Sequence, residues 1–184
     1  MATALFTTTS LWKTGYDRDE VDEFFDHARA AYEGQIAQQL TAADIQHATF
    51  ALVRRGYVTD EVDAALDRLE AAFVSQARTE FVKTNGQAAW MAALAERART
   101  LYGRLSRPAG AKFASPGGRQ PGYAKSEVDH LCDRLVEFFD KQVPIKSSEI
   151  RSAVFSPARG QGAYAEGPVD AFFARAVEVL LGVE

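Results

Sequence analysis

This chain of 184 residues has one cysteine, three histidines and no long apolar run. The single cysteine, Cys132, cannot close an internal disulfide, and the three histidines stand at no spacing that would complete a zinc site with it. Disulfide-stapled and zinc-built classes are therefore excluded, no metal or other cofactor is expected, and a reducing compartment is the natural setting. No segment approaches the roughly 18 uncharged apolar residues of a membrane span. The opening MATALFTTTS has neither the basic nor the apolar part of a secretion signal, so the chain is read as cytoplasmic, with at most a peripheral membrane contact. No nucleophile, base and orienting group occur together as an enzyme would need, and no enzyme is expected.

What is present is a hydrophobic fraction of 47%, enough to bury a core in one domain or two small halves. The net charge of −4 is too mild to argue for nucleic acid or an acidic substrate. Its distribution is uneven. Between Asp17 and Glu70 thirteen acids face five arginines, whereas between Arg97 and Lys125 there are seven bases and no acid.

One word is written four times: GYDRDEVDEFFDH from Gly15, GYVTDEVDAALDR from Gly56, GYAKSEVDHLCDR from Gly122, and a weaker AYAEGPVDAFFAR from Ala163. The first and second words are 41 residues apart, the third and fourth are also 41 apart, and the middle gap is 66, so the words form a pair of pairs. An upstream word, LTAADIQHATF and IKSSEIRSAVF, precedes the second and fourth copies. The first and third copies keep only its phenylalanine, as Phe6 and Phe113.

The physics of a helix start accounts for much of the word. Asp19, Asp60, Ser126 and Gly167 fall where an N-cap is expected, and Asp22, Asp63, Asp129 and Asp170 stand three residues on, as in a short capping box. In the fourth word, Pro168 then takes the first helical position. Apolar residues follow at helical spacing and supply the expected core. The first word offers Tyr16, Val21, Phe24 and Phe25, and the second Tyr57, Val62 and Leu66. The third offers Tyr123, Val128 and Leu131, and the fourth Tyr164, Val169, Phe172 and Phe173. The glycine before the tyrosine in the first three words predicts a turn of positive φ that aims the ring back onto the helix; the fourth has Ala163 there, after Gly160 and Gly162.

The second helix should run to about Lys83 and stop at TNG, and QAAWMAALAERARTLYGRL should form a further helix with Trp90, Leu94, Ala98, Leu101 and Leu105 on one side. Residues 107–122, rich in Gly and Pro, read as loop. The expectation is an all-α protein: repeats at 1–40 and 41–84, a connecting helix at 85–106, and repeats at 107–143 and 144–184, the last degenerate.

The combination of Thr/Ser-x-x-x-Ile, Phe, Gly-Tyr and Glu-Val-Asp resembles the N-terminal domain of the DivIVA family, most completely over residues 40–73. The resemblance implies four DivIVA-like loop-plus-helix repeats in two pairs, and a non-enzymatic scaffold or adaptor of bacterial cell division or polar growth. It implies a cytoplasmic protein, peripheral at membrane, poles or septum. In that family the loop between Phe and Gly-Tyr enters the membrane and the following helix forms a parallel coiled coil. No heptad run here lasts three or four heptads, so the first and second copies, and the third and fourth, are expected to pair within one chain. Carried over to this sequence, the membrane candidates are Leu11, Trp12 and Lys13 in the first loop and Leu52, Val53, Arg54 and Arg55 in the second. The implied partners are the chain itself, by repeat pairing or as a homo-oligomer, cell-division or cell-envelope proteins, and an anionic membrane surface, with nucleic acid disfavoured. The alternative is a soluble helical interaction module without membrane binding or polar targeting.

Duller readings stand beside these. The Val-Asp carboxylates are better read as caps than as acid–base pairs, and Cys132 as a small core residue rather than a nucleophile. Arg104, Arg107, Lys112, Arg119 and Lys125 form a basic patch that either meets phosphate or is a solvated helix face and loop. For Trp12, membrane insertion and packing against the next repeat are both open.

Overall fold

The computed structural model describes residues 4–36, 40–118 and 120–184. Helices dominate, and two compact units divide at Ala77 and Arg78. The first unit contains β1 (Thr14–Tyr16), α1 (Arg18–Tyr32), α2 (Ala42–Gln46), β2 (Leu52–Arg54) and most of α3 (Thr59–Asn85). The second contains α4 (Gln87–Leu105), β3 (Pro121–Ala124), α5 (Lys125–Lys141), α6 (Ser147–Arg151), β4 (Pro157–Arg159), β5 (Ala163–Tyr164) and α7 (Glu166–Leu181), with a 3-10 turn at Gly160–Gly162.

The all-α expectation is corrected by two small antiparallel sheets, β1 with β2 and the order β4-β3-β5. Their strands are two to four residues long, too short for a period of two to show in the sequence. In each sheet the Gly-Tyr start of one word pairs with the segment just upstream of the other word. Tyr16 and Tyr57 exchange backbone hydrogen bonds at 3.0 and 2.8 Å, and in the second unit Tyr123 stands opposite Tyr164. The tyrosines of the two words in each unit therefore meet across the backbone, Tyr16 and Tyr57 as an isolated bridge and Tyr123 and Tyr164 within the β3–β5 pair.

This close pairing, rather than a left-handed turn, is what the glycines serve. None of Gly15, Gly56 and Gly122 has a positive φ. A Cβ on Gly15 would lie 2.1 Å from the Tyr57 carbonyl oxygen, one on Gly56 2.4 Å from those of Gly15 and Tyr16, and one on Gly122 2.0 Å from that of Tyr164. In the fourth word Ala163 holds the place and is wholly buried, so the second unit accommodates one methyl group where the first accommodates none.

The capping expectation is also corrected. Helices begin two residues earlier than the spacing suggested, because the residue after each tyrosine already turns the chain. Asp17 is the N-cap of α1, its Oδ1 accepting from the Asp19 and Glu20 N–H groups at 2.9 and 3.2 Å, while Ala124 and Ala165 precede α5 and α7 without a side-chain cap. Asp19, Asp60, Ser126 and Gly167 therefore lie inside the first turns, and Pro168 is third in α7, where its missing N–H still costs nothing.

Asp22, Asp63, Asp129 and Asp170, freed from capping, bond across to the tyrosine of the other word. Tyr57 Oη donates to Asp22 at 2.9 Å and Tyr164 Oη to Asp129 at 2.9 Å, while Tyr16 bonds Asp63 and Tyr123 bonds Asp170. The Tyr57 and Tyr164 hydroxyls also accept from the residue before the upstream phenylalanine, Leu5 N–H at 3.2 Å and Lys112 N–H at 3.0 Å respectively. Each of those phenylalanines packs on the other word's ring: Phe6 on Tyr57, Phe50 on Tyr16, Phe113 on Tyr164 and Phe155 on Tyr123, with centroids 5.2–5.4 Å apart. The glutamate of the word closes the arrangement in three copies. Glu20 accepts from Ala51 N–H, Glu61 from Thr7 N–H and Glu127 from Ser156 N–H, each the residue after a phenylalanine, at 2.6–2.8 Å.

Burial follows from this exchange. Val21, Val62, Val128 and Val169 are all fully enclosed, as are Tyr57 and Tyr164, and Phe172 and Phe173 are buried too. Tyr16, Phe24, Phe25, Leu66, Tyr123 and Leu131 of the expected core are half-buried. The two units differ in cover. Helix α7 is packed by α4 and α6, with Trp90, Leu94, Leu101 and Leu105 of α4 buried as their spacing predicts, and Trp90 Nε1 donating to the Gly182 carbonyl at 3.2 Å. Helix α1 has only Val21 and Ala28 fully buried, which leaves the rings of Phe24 and Phe25 partly open.

Candidate functional site

The first unit carries an exposed tip just before β1. Lys13 N–H donates to Ser10 C=O at 3.0 Å, closing a turn whose two central residues are Leu11 and Trp12. Thr9 pins the base of the turn, its N–H to Gly56 C=O at 2.8 Å and its Oγ1 to Lys13 C=O at 3.0 Å. The turn therefore has a fixed backbone and a projecting apolar crown: Leu11 is 55% and Trp12 90% exposed. Packing of Trp12 against the neighbouring repeat is overturned by that exposure.

The second candidate loop joins the first. Thr14 lies opposite Arg54 in the β1–β2 register, so Lys13 and Arg55 flank the same end of the ladder, and Leu52 lies 62% exposed two residues before Arg54. Val53 is half-buried. Lys13, Arg54 and Arg55 make no side-chain hydrogen bond or ion pair among the described residues. Three bases and the exposed Leu11 and Trp12 thus come to one end of the ladder from sequence positions about 40 apart, which the carried-over motif named separately and the strand register unites, while Leu52 lies opposite Tyr16 at the other end.

Arg55 has φ 58°, a left-handed backbone that a side chain adopts at a cost of about 1–2 kcal/mol. The matching position of the second unit, one residue beyond β4, is Gly160 with φ 59°. The first unit keeps an arginine where the second has relaxed to glycine, an oddity no sequence pattern flagged. The end of the second ladder pairs Pro121 with the exposed Arg159 and carries no apolar crown among the described residues.

Below the tip, along α1, runs an open groove of about 830 Å³ lined by Glu20, Glu23, Phe24, Asp26, His27, Thr49 and Phe50. Its floor is the edge-to-face pair of Phe24 and Phe50, 5.6 Å between centroids, and three carboxylates stand around it. The sequence contained the residues, but the groove depends on Phe50 being carried onto α1 by the crossing of the two words.

The basic patch does not survive as a phosphate surface. Lys112 is buried and its Nζ donates to the carbonyls of Leu105 and Arg107 at 2.6 and 3.2 Å, closing the end of α4. Arg104 and Arg107 both reach the Lys112 carbonyl, at 3.4 and 3.3 Å, and Arg104 also lies over the Phe113 ring. Lys125 donates to Gly110 C=O at 2.8 Å and lies over the Tyr164 ring. These four bases hold residues 105–113 in place, a use of charge that a linear count cannot distinguish from a surface patch. Arg119 lies outside the described residues.

Cys132 is fully buried, and burial pushes its thiol up to about 12, which keeps it protonated. Among the described residues no group of three or more His, Cys, Asp or Glu side chains is placed to hold a metal ion. No helix among the described residues is long and apolar enough to cross a membrane. Comparison with protein-family models, curated proteins and solved structures finds no match.

Proposed function

We propose that this chain consists of four DivIVA-like loop-plus-helix repeats in two pairs, and that it acts as a non-enzymatic scaffold or adaptor in bacterial cell division or polar growth. It works in the cytoplasm and meets an anionic membrane surface peripherally. The observation that carries the membrane part is the composite tip: Trp12, 90% exposed, with Leu11, beside Lys13, Arg54 and Arg55, which make no side-chain hydrogen bond or ion pair among the described residues. An aromatic ring beside bases suits the headgroup region, where Trp partitions and Lys and Arg meet lipid phosphate. The family resemblance of the repeated words supports the division context, and the strained Arg55 supports retention of a base at that position.

Liposome sedimentation of the full chain, with and without anionic lipid, tests the reading. The wild type is expected to sediment with anionic vesicles, Trp12→Ala and the pair Arg54→Ala/Arg55→Ala to lose most of that binding, and a fluorescent fusion to gather at poles or septa. A wild type that stays in the supernatant, together with a diffuse fusion, would leave the soluble interaction module as the function.

A further inference from the structure

We propose that the α1 groove of the first unit receives the Leu11–Trp12–Lys13 tip of a second copy of this chain, so that copies join head to tail. Tip and groove are chemically complementary. The groove offers a floor of two half-buried phenylalanine rings and a rim of Glu20, Glu23 and Asp26. The tip offers one large ring and a cation on adjacent residues. Trp on a phenylalanine floor and Lys13 against carboxylates is the pairing of aromatic anchor and opposite charge that concentrates binding energy at interfaces. Glu20 already holds the Ala51 N–H, but Glu23 and Asp26 make no hydrogen bond or ion pair among the described residues.

The second unit is the internal control. Aligning the third word on the first keeps Glu127 at Glu20 and Asp133 at Asp26 but puts His130 at Glu23, Leu131 at Phe24 and Arg134 at His27; Asp133 lies 3.7 Å from Lys112 Nζ and Arg134 3.3 Å from Glu149. The equivalent surface there thus lacks the Phe24 ring and the Glu23 carboxylate, and its second acid is already paired with a lysine. The tip is lost, since Gly118 and Gln120 stand where the first unit has Leu11 and Lys13. The second unit thus lacks the tip and has a groove short of one ring and one free acid, as expected if tip and groove exist for each other.

Geometry makes the contact one between chains. The tip precedes β1 and the groove helix follows it, and Trp12 at 90% exposure does not occupy the groove of its own chain. Joining two different patches of one molecule is a heterologous contact, which adds copies in a line unless the rotation closes a ring. It would supply lateral assembly to a chain that lacks a long coiled coil, and it goes beyond the membrane reading without depending on it.

The test uses the full chain in analytical ultracentrifugation, without lipid, over a concentration series at low and high salt. The wild type is expected to gain mass with concentration and to lose it at high salt. Trp12→Ala, which keeps the groove, and Glu23→Lys/Asp26→Lys, which keeps the tip, are each expected to associate at least about tenfold more weakly alone. Mixed in equal amounts, these two variants should form a 1:1 heterodimer and nothing longer, because one intact tip meets one intact groove. Far-UV circular dichroism equal to that of the wild type guards against misfolding. A wild type that stays monomeric throughout, or a mixture without heterodimer, overturns the proposal. The groove variant is still expected to sediment with anionic liposomes, so loss of assembly and loss of membrane binding are separate results.

Discussion

Gly56 and Gly122 are each within 2.4 Å of a backbone oxygen at the place where a side chain would begin. Neither neighbour is a flexible side chain that could swing away, so a methyl group must push two paired strands apart. Gly56→Ala and Gly122→Ala should each destabilise the chain by about 3 kcal/mol in urea denaturation, the upper range for overpacking. Gly167→Ala, with open space around it, should stay within about 0.5 kcal/mol of wild type. The sequence told us that glycine mattered at these positions because it recurred. It suggested the wrong reason, since a turn glycine and a close-approach glycine look alike without the strand that lies over them.

At the level of the elements, the repeated word is a set of half-bonds completed by its neighbour. Tyr57 and Asp22 belong to different words and are 35 residues apart, yet they meet at 2.9 Å. A double-mutant cycle of Tyr57→Phe and Asp22→Ala, read by equilibrium unfolding, should give a coupling energy of about 1 kcal/mol, and zero coupling would mean that the two words do not pair in solution. The helices were legible because an apolar stripe is a local signal, and QAAWMAALAERARTLYGRL matches α4 (Gln87–Leu105) residue for residue. The helix starts were misplaced by two residues because the conserved-looking acid had a partner elsewhere in the fold. A capping aspartate and an aspartate that accepts a distant phenol have the same spacing in a linear reading. The strands, the groove and the union of the two loops in one tip were all products of pairing across the words, and no window of sequence contains them.

Across the whole molecule the same exchange sets a limit on alkaline stability. Burial, and then the carboxylate each phenol faces, raises Tyr16, Tyr57 and Tyr123 above the ordinary 10.0, and raises Tyr164 to about 12. The folded chain thus keeps protons that the unfolded chain gives up, so this contribution is intact below pH 10 and declines as pH rises through the folded values. Denaturant midpoints should fall between pH 10 and about 12, in step with the ultraviolet absorbance of tyrosinate, and Tyr164→Phe should flatten the upper part of the fall. Because tyrosines of both units are affected, neither unit should outlast the other by a wide margin at high pH.

The division at Ala77 has a consequence for how the chain is made. Among the described residues the cross-word hydrogen bonds and strand pairs of the first word reach Ala51–Asp63, so the first unit owns these contacts before the second has been synthesised. Its strands can close as the ribosome moves on, and the third word then emerges when both earlier tyrosines are already occupied. Order of synthesis, as much as side-chain fit, would keep four near-identical words from pairing with the wrong sibling.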